Sequence, residues 1–217
     1  MRSELFTAVI GDVMDKMEIY HQFLPPTIRP LSPEMIVLGR AMPVLETDCF
    51  VEVSAGAGGP LTKKPFGLLL EALDDLKADE VYVCTGASPR YALWGELMSI
   101  RAQKLKAAGA VFDGYARDTQ GILDLKFPTF CLGSYAQDQG PRGKVLDFRT
   151  PIEIEGVRIS PGDLIFGDVD GVLVIPREAE EEALVRALEK ARGEKLVRTA
   201  MEGGMSAVQA FEQFGLM

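Results

Sequence analysis

Three side chains are able to do chemistry together: Glu96, Arg117 and Asp118, all within the stretch from Tyr91 to Asp118. A guanidinium presents a planar fork of donors that fits a carboxylate or an enolate oxygen, and it stays charged at any relevant pH. The two acids offer hard oxygen ligands of the kind Mg²⁺ or Mn²⁺ prefers, and Mg²⁺ keeps several waters while taking only one or two carboxylates. Two acids and one arginine therefore suffice for a small metal-assisted site. No Ser, Thr, Asp or Asn stands immediately ahead of Trp94, so the first amides of the helix that follows lack a side-chain cap and are open to an anion. A cation, an arginine and uncapped amides together describe a site for a 2-oxo acid. Taken alone, an Arg-Asp pair is also what an ordinary surface turn carries, and Glu96 is ordinary chemistry for a helix start.

The elements that must position these groups follow from the pattern of the same stretch. Residues 91–118 read as a loop, a helix, a short apolar strand and a polar turn. In a strand–helix–strand unit the helix N-terminus and the end of the next strand share one sheet edge, where ligands bind. Twenty residues separate Glu96 from Arg117, about what four helical turns, a bend and a strand require. Glu96, Arg117 and Asp118 are thus expected at one pocket.

An acid followed after 20 residues by Arg-Asp, here Glu96 and Arg117-Asp118, resembles the signature of the class II pyruvate aldolases that cleave 4-hydroxy-4-methyl-2-oxoglutarate. The RraA-type regulators of ribonuclease activity are their relatives. Arg29-Pro30-Leu31 through Gly39-Arg40-Ala41 resembles that family's N-terminal strand entry, and GDLIFGDVDGVLVIP at 162–176 resembles its closing strand segment. The resemblance implies an α/β fold, an RraA-like swivelling β/β/α domain, assembling as a homotrimer or a hexamer with active sites between subunits. It implies Arg117 and Glu96 as catalytic residues, and Arg117, Leu93, Trp94, Gly95 and Glu96 as substrate contacts. The metal, Mg²⁺ or Mn²⁺, would be held by Asp118 and, through water, by Glu96. Glu194 of a neighbouring subunit is a looser candidate by its position in the C-terminal helix.

The activity so implied is cleavage of a 4-hydroxy-2-oxo dicarboxylate to pyruvate and a second carbonyl compound, with decarboxylation of oxaloacetate as a side activity. The alternative is a noncatalytic RraA-type regulator that binds a protein partner; those regulators lack an acid where this chain has Glu96. A third reading keeps the site and changes the substrate to a sugar-derived 2-oxo acid.

Composition narrows the field independently. A chain of 217 residues with 47% hydrophobic content can bury one substantial core, expected as a single domain over 1–200 with a helical tail at 201–217. A net charge of −9 argues against a nonspecific nucleic-acid binder, which rests on cations meeting phosphates. No signal-peptide core and no run near 18 apolar residues is present, so no membrane is expected and a cytoplasmic location is. Cys49, Cys84 and Cys131 are widely spaced and read as small buried hydrophobes. The single histidine, His21, excludes a His-based zinc site and reads as a surface residue. A Schiff-base mechanism would need a desolvated lysine, and Lys104 and Lys106 carry no sign of burial.

Elsewhere, Leu5, Ala8, Val9, Val13 and Met17 predict a helix over 4–18, with Asp12 and Asp15 off its stripe. Residues 35–53 read as strand with a bend at Gly39 and Pro43. The Gly-rich stretch 55–65 fits no phosphate-loop pattern and reads as a loop whose Lys63 and Lys64 attract an acidic substrate. A helix is expected over 66–77, strands at 81–84 and 129–132, a surface loop over 135–143, and a hairpin turning at Glu155-Gly156. Asp168 and Asp170 read as turn chemistry rather than a calcium loop. A long helix over 177–200 begins with a dense acidic run that suits its dipole, and a short helix over 205–214 ends the chain.

Overall fold

The computed structural model describes residues 4–49, 59–60 and 63–215. The chain forms two units, one from its ends (Met1–Tyr20 with Glu178–Met217) and one from its centre (His21–Arg177). In chain order the first element is α1 (Thr7–Lys16). The central unit then runs β1 (Arg29–Pro30), β2 (Val37–Asp48), α2 (Leu69–Asp74), β3 (Glu80–Thr85), β4 (Ala92–Trp94), α3 (Glu96–Lys104), β5 (Gly109–Phe112), β6 (Tyr115–Ala116), α4 (Thr119–Leu125) and β7 (Thr129–Cys131). It closes with β8 (Gly143–Phe148), β9 (Ile152–Ile154), β10 (Val157–Ile159), β11 (Leu164–Asp168) and β12 (Gly171–Ile175). The terminal unit resumes with α5 (Glu180–Glu202) and α6 (Ala207–Phe214).

The architecture is mixed α/β. One eight-stranded sheet has the order β1-β7-β5-β3-β2-β11-β12, with β8 also pairing β2. Strands β2, β3, β5 and β7 run parallel, while β1, β8, β11 and β12 pair antiparallel with their neighbours. Strands β5, β11 and β12 are buried at every position, which is why they read as unbroken apolar runs rather than alternating ones. Alternation still sorts their side chains. Tyr82 and Cys84 of β3 join one core cluster with Trp94 and Phe112, and Val81 and Val83 join the other with Val111 and Phe130.

Several expectations shift in detail. Strand β2 passes through Gly39 and Pro43 without a break. Pro43 keeps its place in the sheet opposite Val83, and its carbonyl accepts from Arg149 N at 2.7 Å. The irregularity falls instead at Leu45/Glu46, where the register against β8 shifts. The first helix is shorter than 4–18, and Ala8 faces outward while Thr7, Ile10 and Met14 are buried. Four elements were not expected: strands β4, β6 and β8, and helix α4, which has barely two turns. The hairpin forms as expected, with both Glu155 (φ 44°) and Gly156 (φ 85°) in the left-handed region that a two-residue turn of this kind demands. Asp168 and Asp170 form a turn, the Asp168 carboxylate accepting from Asp170 N at 2.9 Å.

In the terminal unit, Ala183, Ala187 and Ala191 are buried along one stripe of α5, and α1 packs with α5. Lys190 bonds both Asp12 (2.6 Å) and Glu194 (2.8 Å). Ser206 caps α6 in a capping box with Gln209, satisfying backbone donors that have no partner inside the helix.

Gly39 marks a close approach in the central sheet. A Cβ there would lie 2.3 Å from the Asp79 carbonyl oxygen and 2.8 Å from Ala108 Cβ, and a backbone oxygen cannot swing aside. Gly39→Ala is expected to lower stability by about 1–3 kcal/mol, read as a fall in the urea midpoint.

Candidate functional site

The site is assembled by a small two-stranded sheet. Strands β4 and β6 pair in parallel, Ala92 opposite Tyr115 and Trp94 opposite Ala116, and Arg117 N donates to the Trp94 carbonyl at 2.9 Å. Whatever follows β4 is therefore placed beside whatever follows β6: Gly95-Glu96 beside Arg117-Asp118. The anchor is Trp94, fully buried, with ring centroids of Tyr82, Phe112 and Phe127 at 5.0, 6.3 and 6.0 Å. Its Nε1 donates to Ser99 Oγ at 2.7 Å, which satisfies the one polar atom the ring carries into the core.

Gly95 is the N-cap of α3, and no side chain caps that helix. A Cβ on Gly95 would sit 3.2 Å from Asp118 Oδ2 and 3.5 Å from Arg117 Cγ, so the absence of a side chain lets the two segments close. Arg117 Nη1 donates to Asp138 Oδ1 at 2.7 Å, and its Nε lies 3.6 Å from Asp118 Oδ2. Asp138 is itself fixed, its second oxygen accepting from Gly140 N at 2.9 Å. Asp118 takes left-handed backbone angles (φ 53°, ψ 37°) ahead of α4. The Glu96 carboxyl lies over Gly121, where a Cβ would come within 2.4 Å of Glu96 Cδ.

Structure thus brings Glu96, Arg117 and Asp118 to one corner. A cavity of about 210 Å³ opens there, lined by Leu93, Trp94, Gly95, Arg117 and Asp118 together with residues of α2 and α3, and by Asp138 and Gln139. Glu96 stands at the corner without lining that cavity. The Leu93 and Trp94 side chains are buried. Glu194 belongs to the terminal unit, where it accepts from Lys190. Lys104, Lys106 and His21 are exposed. Most of the 55–65 loop lies outside the described residues; Lys64, within them, pairs with Glu71.

Among the described residues no three His, Cys, Asp or Glu side chains converge on one point, so an all-protein metal cage is not built here. Asp118 is half exposed and shares its corner with Glu96. That donor set fits a hydrated ion of the Mg²⁺ type, held by one or two carboxylates with water completing its shell.

Two features had no signal that pattern reading could use. Asp138 sits in the stretch 135–143, which reads as a surface loop, and only the fold carries it to Arg117. The second is a buried polar cluster. Glu46 is 1% exposed, with Oε2 3.8 Å from Cys84 Sγ, while Oε1 and the nearby Tyr82 hydroxyl lack hydrogen-bond partners among the described residues. Burial pushes the Glu46 carboxyl up to about 8, against the opposing pull of its bonds to Tyr91 and Cys84. Burial likewise raises the Cys84 thiol and Tyr82 hydroxyl well above their usual values. Beside this cluster the Tyr91 hydroxyl donates to Asp48 at 3.1 Å, and Asp48 accepts from Ser88 N at 2.9 Å, tying down the loop that enters β4. Cys84 and Cys131 are buried and Cys49 half-buried, all three free.

A family model described as RraA-like, Aldolase/RraA, matches residues 7–174. A protein of Halalkalibacterium halodurans named "Putative 4-hydroxy-4-methyl-2-oxoglutarate aldolase" is 30% identical over 205 residues, covering 94% of this chain and 89% of its own. Protein DlpA of Legionella pneumophila is 29% identical over 96% of this chain. The chain spans only 32% of DlpA's length. Among solved structures, Streptomyces coelicolor RraAS2, described as an unusual member of the RNase ES inhibitor RraA protein family, superposes with a TM-score of 0.76 at 21% identity. It covers 89% of this chain and 91% of its own, a likeness of fold.

The raised Glu46 carboxyl has a measurable consequence. The folded protein keeps this proton from the ordinary 4.5 up to about 8, a window in which the unfolded chain has released it. Stability from this group therefore falls as pH rises through the window and levels off above it. Glu46→Gln is expected to flatten that fall, measured as denaturant midpoints across the same pH range.

Proposed function

The chain belongs to the RraA-like family, and on that premise we propose that it is a divalent-metal-dependent lyase. It cleaves a 4-hydroxy-2-oxo dicarboxylate such as 4-hydroxy-4-methyl-2-oxoglutarate to pyruvate and a second carbonyl compound. The observation that carries this reading is the Arg117 guanidinium, held by Asp138 beside Asp118 and the uncapped start of α3.

Arg117 receives the carboxylate and 2-oxo oxygen of the substrate with a fork whose orientation is already set, and the first amides of α3 add donors on the same side. Glu96 positions a water that takes the proton of the 4-hydroxyl. As the bond between C3 and C4 breaks, its electron pair passes into the enolate of pyruvate, and the fixed guanidinium faces the developing negative charge. Protonation at C3 completes pyruvate. Asp118, with Glu96 through water, would hold Mg²⁺ or Mn²⁺, which when bound supplies Lewis-acid polarisation of the 2-oxo oxygen. Loss of CO₂ from oxaloacetate yields the same enolate, so that activity belongs to the proposal. So does assembly as a homotrimer or hexamer in which Glu194 of a neighbouring copy approaches the ion.

A second reading, a noncatalytic regulator of ribonuclease activity, is favoured by the fold likeness to RraAS2. The two separate on turnover. Pyruvate is expected from 4-hydroxy-4-methyl-2-oxoglutarate or a related acid, lost with EDTA and restored by Mg²⁺ or Mn²⁺; release that ignores EDTA, or none at all, favours the regulator. Arg117→Ala is expected to lower kcat/KM roughly 100- to 1,000-fold on aldol and oxaloacetate substrates alike, in a coupled pyruvate assay. Asp138→Asn keeps a hydrogen-bond acceptor but removes the charge that orients Arg117. Its expected effect is a rise in KM of about tenfold, exceeding any fall in kcat.

A further inference from the structure

Gln139 lines the cavity beside Arg117, and its position is set by its own backbone. Its carbonyl accepts from Arg142 N at 2.7 Å and from Gly143 N at 2.9 Å. Gly143 in turn packs on the Tyr91 ring, which leaves no room for a side chain there. One residue earlier, Asp138 holds the Arg117 guanidinium. The turn over 139–142 thus fixes two neighbouring side chains against one cavity, Asp138 acting through the arginine and Gln139 facing the cavity itself.

The Gln139 side chain is buried without a structural bond that accounts for it. The residue is 6% exposed, and its Nε2 has no acceptor among the described residues. A buried amide donor left unpaired costs free energy, and a ligand oxygen entering the cavity would remove that cost. Other polar groups of the lining are engaged: Trp94 Nε1 donates to Ser99, and Asp138 accepts from Arg117 and Gly140. Of the oxygens a 4-hydroxy-2-oxo dicarboxylate brings, the first carboxylate and the 2-oxo group go to Arg117. The 4-hydroxyl goes to the water at Glu96, which is not part of this lining. The second carboxylate is left for Gln139. An N–H donated to a carboxylate is charge-assisted and stronger than one donated to a neutral oxygen, and an uncharged donor leaves the ion pairs of Arg117 undisturbed.

Within the lyase reading, we propose that Gln139 is a specificity-determining residue whose side-chain amide donates to the second carboxylate of the substrate. Gln139 need not be the sole partner of that carboxylate. Its share is read as a ratio between two acids, whatever other groups the site supplies.

The test is calorimetric binding, with Mg²⁺ present, of 2-oxoglutarate and 2-oxopentanoate. These acids lack the 4-hydroxyl, are not cleaved, and differ only in ending with a carboxylate or a methyl group. The unaltered protein is expected to bind 2-oxoglutarate more tightly. Gln139→Leu is expected to weaken 2-oxoglutarate about 10- to 100-fold and to leave 2-oxopentanoate nearly unchanged. Gln139→Glu, of the same size but with a carboxylate in place of the donor, is expected to lose 2-oxoglutarate at least as severely through like-charge repulsion, and serves as the second variant should the first not fold. In turnover the same variants are expected to raise KM for 4-hydroxy-4-methyl-2-oxoglutarate more than they lower kcat. A merely structural role weakens both acids alike. Such parallel loss, 2-oxoglutarate binding retained in the variants, or no preference for 2-oxoglutarate in the unaltered protein overturns the role of Gln139, while pyruvate release keeps the lyase standing. Selective loss of 2-oxoglutarate binding with no pyruvate from any substrate overturns the lyase and keeps Gln139 as a carboxylate-binding residue.

Discussion

A single backbone hydrogen bond, from Arg117 N to the Trp94 carbonyl, closes the geometry on which the site depends. It ends a parallel pair of strands only three and two residues long, too short to be stable alone. Their persistence comes from packing. Trp94 is sealed among aromatic rings and Ala116 is fully buried, so the pair cannot slip without exposing a tryptophan or opening a void in the core. A slip of one residue would also turn every side chain to the opposite face, removing Asp118 from Gly95. The rigidity of the polar corner is thus borrowed from the hydrophobic one.

Within that frame charge is arranged to hold one group still. A lone arginine near the surface samples many rotamers, and ordering it on binding costs free energy. Here Asp138 does the ordering in advance, and the loop turning through Gly140 fixes Asp138 in turn. The arrangement costs net positive charge, because Asp118 and Asp138 both face the guanidinium. A site so built has directional donors rather than a strong attractive field, which suits one carboxylate presented in one orientation.

The buried Glu46 cluster runs against stability yet lies against the polar ties that anchor the same corner. A carboxyl at 1% exposure with an unpartnered oxygen is held neutral by its surroundings, since the charged form is penalised far more by burial than the protonated one. Tyr91 and Asp48 beside it secure the chain entering β4. Alternation along β2 puts this side chain on the same face as the buried Met42 and Val44.

How much could be read without coordinates follows from the range of each interaction. Element types set by local periodicity were legible: α1, β3, the hairpin at Glu155-Gly156, the acidic start and alanine stripe of α5, and the absence of a cap ahead of α3. The spacing of Glu96 and Arg117-Asp118 marked out one corner because helix rise and strand rise are nearly constant. Strands β4, β6 and β8 and helix α4 were invisible: no turn signal like Glu155-Gly156 frames the short strands, and α4 has barely two turns. So were the unbroken run of β2 through Pro43, the partnership of Asp138 with Arg117 across 20 intervening residues, and the burial of Glu46. By itself the sequence determined which charged residues belong to one strand–helix–strand stretch and how many residues separate them. Only the tertiary structure decided which face of each strand turns inward and which distant loop reaches Arg117, because those outcomes are set by packing between segments that carry no mark of one another in the chain.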